Sequence, residues 1–526
     1  MIIGACIITE ATEVNMNMKI KIMTRISIFL LCLCMIIPYQ TSCAETDGTN
    51  KNPNEYDDGY YDGSTRAKTK GNLPDDINLN GETVGIFFSS YMELNVKGEE
   101  EETDMIYTSI YERNLKVENW LSVNLSFLPS DSTGWSEISS ELSNLILTND
   151  ESIDTVIAGS NTLIQNKLYA LFTDLNNTLY LDLREPWWNI DAISETSIDG
   201  RIYEFLYGDI MLTTFTSCGA LFYNKELYTD MNPTLGPDHL YTMVKDKTWT
   251  LDQFYHLTNK TYMDRDGDQM RSNGDIYAFQ ILGSGEAIHY FAAGCDIEYY
   301  KRAKTGFPEI TINSPKSVEF ASLLYKIFYE NNGSEIYYPN QPEGRVEHPH
   351  DFEDGRILFY LEGLGSALNA ERRAMEDNYG IIPYPLWDEQ QKSYTTLLHN
   401  SAAAVCVPYT AALGGYDRLE YIICPTLEAM AIESYRSVTE NFYELALKSA
   451  YTRDDLASEM IDIIVEGSTK NLVYEYSTSL NGIGNIFGRI MSAKSTTEFA
   501  TVYASIGEAA NQSLRNLIKE YGETFG

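Results

Sequence analysis

The chain has 526 residues, more than one core holds, because single cores stop growing near roughly 250–300 residues. Its 38 Lys plus Arg against 76 Asp plus Glu give a formal net charge of −38, which excludes nucleic acid and anionic lipid surfaces as partners. A 44% hydrophobic fraction suffices for packed cores, and 38 Tyr offer flat apolar faces with polar tips that suit binding surfaces.

Residues 1–43 read as an export signal. Lys19, Lys21 and Arg25 precede the apolar run Ile26–Ile37; that run is short of the about 20 residues a spanning helix needs and matches a signal core. Glu10 and Glu13 lie ahead of the basic cluster, which is odd for a signal start, and translation is expected to begin at Met16 or Met18. Gln40-Thr41-Ser42-Cys43 resembles the bacterial lipoprotein box, in which a Cys after small residues receives lipid and becomes the new N-terminus. Gln40 stands where that box prefers Leu, and cleavage nearby with an unmodified Cys43 is the alternative. Cys218, Cys295, Cys406 and Cys424 show no metal spacing and read as buried thiols, with a disulfide left open. Residues 44–81 are poor in aliphatic side chains and rich in Gly, Asn and Asp, which predicts a disordered tether.

The folded part opens on an apolar strand, Thr83–Ser89. An acidic loop with the run Glu99–Glu102 follows and reads as solvated surface. Ile106, Ile110, Val117 and Leu121 then recur at helical spacing. A strand at Val123–Leu128, a helix carrying Ile138, Leu142, Leu145 and Ile146, and a strand at Thr155–Ala158 complete the alternation. Such alternation predicts an α/β fold with a mainly parallel sheet flanked by helices, and ligands in such sheets sit beyond the carboxyl ends of the strands. That nominates Ser89, Ser90 and Tyr91 after the first strand, and Gly159 and Ser160 after the third. A second alternating stretch starts near Ile202. It has a strand running into a helix at Gly219–Tyr228, a capping box at Thr250 and Gln253, and a helix that starts at Ser314-Pro315 and ends at Gly333.

Taken in order, "IYERNLKVENWLSVNL" (110–125), "DTVIAGS" (154–160), "PWWN" (186–189), "GALFYNKELY" (219–228), "TWTLDQFYHLT" (248–258), "DRDGDQ" (264–269) and "ITINSPKSVEF" (310–320) resemble the extracellular solute-binding proteins, type 1, that serve ABC importers of sugars. "FEDGRILFYLEGLG" (352–365), "YGIIPYPLWDEQQKSY" (379–394) and "YTRDDLASEMIDII" (451–464) continue the match to the C-terminal part. The resemblance implies a two-lobed, periplasmic-binding-protein-like fold, with a ligand cleft between lobes that close about hinge segments. Carried over, lobe one covers 82–187 plus 390–435, and lobe two covers 188–389 plus 436–526. It further implies a lipid-anchored monomer on the outer face of a bacterial membrane. That monomer would capture a carbohydrate, in particular an oligosaccharide, for the importer's permease subunits without a required cofactor.

Trp187-Trp188 falls where the chain should first cross between lobes. An indole face stacks on a sugar ring, but neighbouring side chains diverge, so one Trp is expected in a core and Trp188 is the preferred contact. Tyr360 and Glu362 end a strand where the resemblance puts sugar contacts, the ring for stacking and the carboxylate for hydroxyls; a plain strand end with a solvated Glu is the alternative. Asn400, beside Ser401, lies near the return crossing and offers a donor and an acceptor, or serves only as a turn residue. Asp264, Asp266 and Asp268 resemble a calcium loop with Asp275 in the last ligand position. Gln269 stands where such a loop has Gly, and Asp275 is shorter than the usual Glu, so a solvated acidic loop is the alternative. His348-Pro349-His350-Asp351 has metal-capable groups but no matched third ligand. The rival functions are a binding protein of this fold for a peptide or another polar solute, and a secreted glycoside hydrolase, whose carboxylate pair the sequence neither locates nor excludes.

Overall fold

The computed structural model describes residues 64–525 apart from 101–104, 273, 283–284, 338–350, 414, 444–454 and 493–497. The export segment, Cys43, His348 and His350 lie outside the described residues. The folded unit is Asp62–Gly526.

In the first sheet, β1 (Thr83–Phe88) lies parallel between β2 (Asn124–Pro129) and β3 (Thr155–Gly159). Helices Met105–Leu121 and Trp135–Leu147 connect them, and their apolar stripes, Ile110, Val117 and Leu121 on one and Ile138, Leu142 and Ile146 on the other, are buried. β1 and β3 are apolar at nearly every position because both of their faces are covered.

The second sheet contains β4 (Gly219–Asn224) and β5 (Tyr277–Leu282), followed by a small hairpin of β6 (Tyr300–Arg302) and β7 (Pro308–Ile310). It is completed by β8 (Ser334–Tyr337), β9 (Ile357–Gly363) and β10 (Tyr379–Ile382), in the order β10-β4-β9-β5-β8. β5 is parallel to β8 and β9, whereas β4 runs antiparallel to β9 and β10. The mixed character has a simple origin. A chain arriving from the neighbouring lobe enters at the end where the lobe's own strands finish, so Gly219 at the start of β4 faces Gly363 at the end of β9. The return is built alike. After β11 (Thr396–Leu397), β12 (Ala403–Cys406) enters the first sheet antiparallel to β3, with Ala403 opposite Gly159. β11 pairs in parallel with β13 (Ser468–Thr469), the Leu398 amide donates to Thr469 O (2.8 Å) and the His399 amide to Ser217 O (3.0 Å). Three chain passages thus lie side by side between the sheets.

Local signals behave as their chemistry dictates. Thr250 Oγ1 accepts the Gln253 amide (3.3 Å) at the head of helix Leu251–Thr258. Ser314 Oγ accepts the Ser317 amide (3.1 Å) ahead of Pro315–Tyr329, a helix that stops before Gly333. Cys218, Cys295, Cys406 and Cys424 are buried free thiols.

One expectation needs correcting, because residues 64–80 are not a tether. Leu73 and Leu79 are buried, Arg66 pairs with Asp209 (3.4 Å) and lies over the Tyr435 ring (4.6 Å), and the Asn72 amide donates to Glu428 Oε1 (2.7 Å). The segment has few apolar residues, but Arg66 and Asn72 find partners far along the chain, which averaged composition does not reveal.

Candidate functional site

The carboxyl ends of β1, β3, β5 and β9 and the amino end of β4 point to the zone of the crossing segments, so the floor between the sheets can be built residue by residue. On the first sheet's side, β1 runs into Ser89, which is buried, and Ser90, whose hydroxyl donates to Ser132 O (2.9 Å). Tyr91 is 45% exposed. β3 ends at Gly159, where the backbone is approached too closely for a side chain: a Cβ would sit 2.4 Å from Asn161 Oδ1 and 3.3 Å from the carbonyls of Asn400 and Ser401. Ser160 Oγ donates to Asn400 O (3.1 Å). The structure therefore brings Gly159, Ser160 and Asn400 together, with Asn400 contributing its carbonyl.

Beneath them Lys470 is fully buried. Its ammonium reaches Ser160 Oγ (3.1 Å), His399 O (2.9 Å) and Glu475 Oε1 (3.0 Å), so one cation ties the end of β3 to two crossing segments. Burial pulls its pKa down, and the Glu475 carboxylate opposes that shift.

On the second sheet's side, the glycine pair Gly219 and Gly363 makes room for the Tyr290 ring. A Cβ on Gly219 would lie 2.4 Å from that ring, and Tyr384 packs against it with ring centroids 5.3 Å apart. Beside this shelf, His399 Nε2 meets Glu286 Oε1 at 2.9 Å, while His399 Nδ1 receives the Ser401 amide (3.2 Å) and lies 2.8 Å from the Ser401 hydroxyl. The His399 hydrogen bond holds the Glu286 carboxyl below its ordinary range. His289, on the same helix, is buried, and desolvation lowers it to about 4, so its ring is neutral. Glu362 is half-buried, and its charge helps to raise Tyr290 and Tyr384 after burial has done most of the work. Tyr360, two residues earlier on the same strand face, is half-buried with the Arg372 guanidinium 4.1 Å above its ring.

Trp187 and Trp188 lie in the interior, 1% and 5% exposed. Both indole N–H groups donate to one carboxylate, at 3.1 Å to Glu428 Oε1 and 2.8 Å to Oε2. Burial raises Glu428 to about 7 against these donors. Neither ring presents an open face in this conformation, so the expectation of a stacking indole at Trp188 gives way to an interior position held by Glu428.

Away from the floor, one carboxylate oxygen of each of Asp264, Asp266 and Asp268 lies within 4.8 Å of the others. Gln269 takes a positive φ of 61° to close the turn, and its amide donates to Asp264 Oδ2 (2.8 Å). Asp275 is turned inward, accepting from the Ser272 amide (2.8 Å), the Arg265 amide (3.1 Å) and the Tyr262 hydroxyl (3.1 Å). The three aspartates fit a hard cation, and Asp275 does not complete the set. No other such cluster of His, Cys, Asp or Glu occurs among the described residues.

Glu286, Tyr290, Tyr384, His399, Lys470 and Glu475 escaped sequence reasoning. Only His399 carried a signal, as the neighbour of Asn400 and Ser401.

Two α/β sheets bridged by side-by-side crossing segments, with strand ends converging on a shared floor, define the two-lobed periplasmic-binding-protein-like fold. Solved structures carry the same architecture. MalE, the sugar-binding protein of the phytopathogen Xanthomonas citri, aligns over 83% of this chain and 99% of its own at 13% identity and a TM-score of 0.56. UgpB from Mycobacterium tuberculosis, in complex with glycerophosphocholine, aligns over 83% and 99% at 12% identity and 0.53. A cyclo/maltodextrin-binding protein complexed with maltotetraose aligns over 84% and 97% at 12% identity and 0.50. No family model and no curated protein matches the chain.

Proposed function

We propose that this protein is an extracellular substrate-binding receptor that captures a carbohydrate, in particular an oligosaccharide, and hands it to the permease subunits of an ABC importer, anchored to the cell membrane by lipid on Cys43. What carries the reading is the floor itself. The exposed or half-buried groups Tyr91, Glu286, Glu362 and Asn400 stand over a buried layer of Tyr290, Tyr384 and Ser160 where strand ends of both sheets meet. Such a mixture suits a ligand with apolar ring faces and many hydroxyls. The neighbours named above bind sugars in two cases, and their fold is shared here almost over its full length. The third holds glycerophosphocholine, which keeps a non-sugar polar solute as the second reading.

A melting screen against oligosaccharides tests the proposal. A saturating ligand at 100 times its Kd stabilises by about 2.7 kcal/mol. A rise without products supports a receptor; product formation supports a glycosidase. A response to glycerophosphodiesters alone supports the second reading. Cys43→Ala should release the protein from membranes, and full retention would refute the anchor.

A further inference from the structure

We infer that Trp135 is a specificity-determining residue whose exposed indole carries the floor out to the edge of the first sheet and selects saccharides of three or more units over shorter ones; this rests on the receptor reading given above.

Trp135 is the one tryptophan that stands exposed among the described residues, at 57%. An indole on the outer face of a helix would call for no explanation, but Trp135 is not on that face. It stands three and four residues before Ile138 and Ser139, where the buried stripe of helix Trp135–Leu147 begins, and Leu142 and Ile146 continue that stripe. This register puts Trp135 on the side of the helix that covers the sheet. It stays exposed because the sheet stops short of it: β2 ends at Pro129, opposite Phe88 of β1. Side chains on a helix lean toward its N-terminus, so the indole stands past the strand ends, on the side to which those ends point.

The neighbouring strand end is tied to the same loop. The Ser90 amide donates to Ser130 Oγ (3.0 Å) and Ser90 Oγ to Ser132 O (2.9 Å), so the turn Ser90–Met92, which carries the exposed Tyr91, is bound to the loop that leads into Trp135. Glu141 of the helix accepts the Asp131 amide (3.0 Å) and the Ser132 amide (3.3 Å), which fixes that loop to the helix head. Two exposed rings thus rise from backbone that is already held in place, so less ordering is needed when a ligand settles on them.

The strand order β12-β3-β1-β2 sets the span. Asn400 stands at the end of β3, Tyr91 at the end of β1 and Trp135 beyond the end of β2, the edge strand. Strands lie about 4.8 Å apart, so the row runs roughly 10 Å, farther than one pyranose reaches. A sugar ring over each end of that row leaves room for one between them, and three units is the shortest chain that engages all of it.

The test is calorimetry of the purified protein against malto-, cello- and xylo-oligosaccharides of one to six units. On the ladder that binds, affinity should climb by about tenfold or more between two units and four. Trp135→Ala should lower affinity for the longer chains by about 30-fold and hold that for the disaccharide within about threefold, which removes the climb. Trp135→Phe keeps a flat apolar face and should retain most of it. The ring is exposed, so ligand-free melting of Trp135→Ala should stay near wild type. A fall in melting with the length dependence unchanged would make Trp135 merely structural and overturn the inference. Affinity that does not grow with length in the wild type would also overturn it, and either result leaves the receptor reading intact. No binding anywhere on the ladders would overturn the inference, and together with a melting response confined to glycerophosphodiesters it would overturn the receptor reading as well.

Discussion

Lys470→Met removes the cation that joins the end of β3 to the crossing segments and leaves Glu475 charged, fully buried and unpaired. Breaking a buried pair from one side costs about 3–5 kcal/mol, because the remaining charge cannot regain its hydration. Ser160 Oγ and His399 O also lose a donor, which adds to the loss and does not offset it. At about 1.4 kcal/mol per tenfold, unfolding becomes favoured by roughly two to three and a half decades. With a urea slope of about 3 kcal/mol/M, the upper end for small proteins, the midpoint should fall by about 1–1.7 M. The assay is urea unfolding at pH 7 followed by indole fluorescence, run beside Lys470→Met/Glu475→Leu. The double variant, which buries no lone charge, should recover much of the loss. A midpoint within about 0.3 M of wild type for the single variant, or a double variant no better than the single, would refute the argument that this pair locks the crossing.

Trp188→Ala should destabilise by about 3–5 kcal/mol rather than act on affinity alone, since the ring is 5% exposed and its N–H serves Glu428; unchanged melting of the ligand-free protein would return Trp188 to the cleft. Glu204 is fully buried and desolvation raises it from 4.5 to about 8, so its folded pKa exceeds its unfolded one. Its favourable contribution is complete below the unfolded value and is lost as pH rises through about 8. Glu204→Gln should therefore flatten the stability loss between about pH 5 and 8, and an unaltered pH profile would refute this. Calcium at the Asp264, Asp266 and Asp268 loop is expected in the range of extracellular modules, Kd about 10⁻⁴–10⁻³ M. At 10 mM it should raise the melting midpoint by a few degrees, a response that Asp266→Asn abolishes; no response in the wild type rejects the site.

Features set by residues close in sequence are legible in the chain alone. The stripe Ile110, Val117, Leu121 specifies its helix, the apolar run of β1 its buried strand, and Thr250 and Ser314 their caps, because spacing, burial and capping act within a few residues. The alternation also carries the α/β class; strand-end reasoning reaches Gly159 and Ser160, and the expected return crossing reaches Asn400, and the three do converge.

The tertiary structure decided the rest, for one physical reason: the deciding contacts join residues whose sequence separation hides them. Lys470 lies 310 residues from Ser160, Trp187 lies 241 from Glu428, and Asn72 lies 356 from the same carboxylate. Nothing local distinguishes a lysine that will be buried against a glutamate from one bound for the surface, or an indole that will bond a buried carboxylate from one that faces a cleft. Sequence by itself determined the elements and nominated strand ends that converge. Only the folding of two sheets against shared crossing segments decided that the tryptophans turn inward and that Glu286, held by His399, stands at the floor.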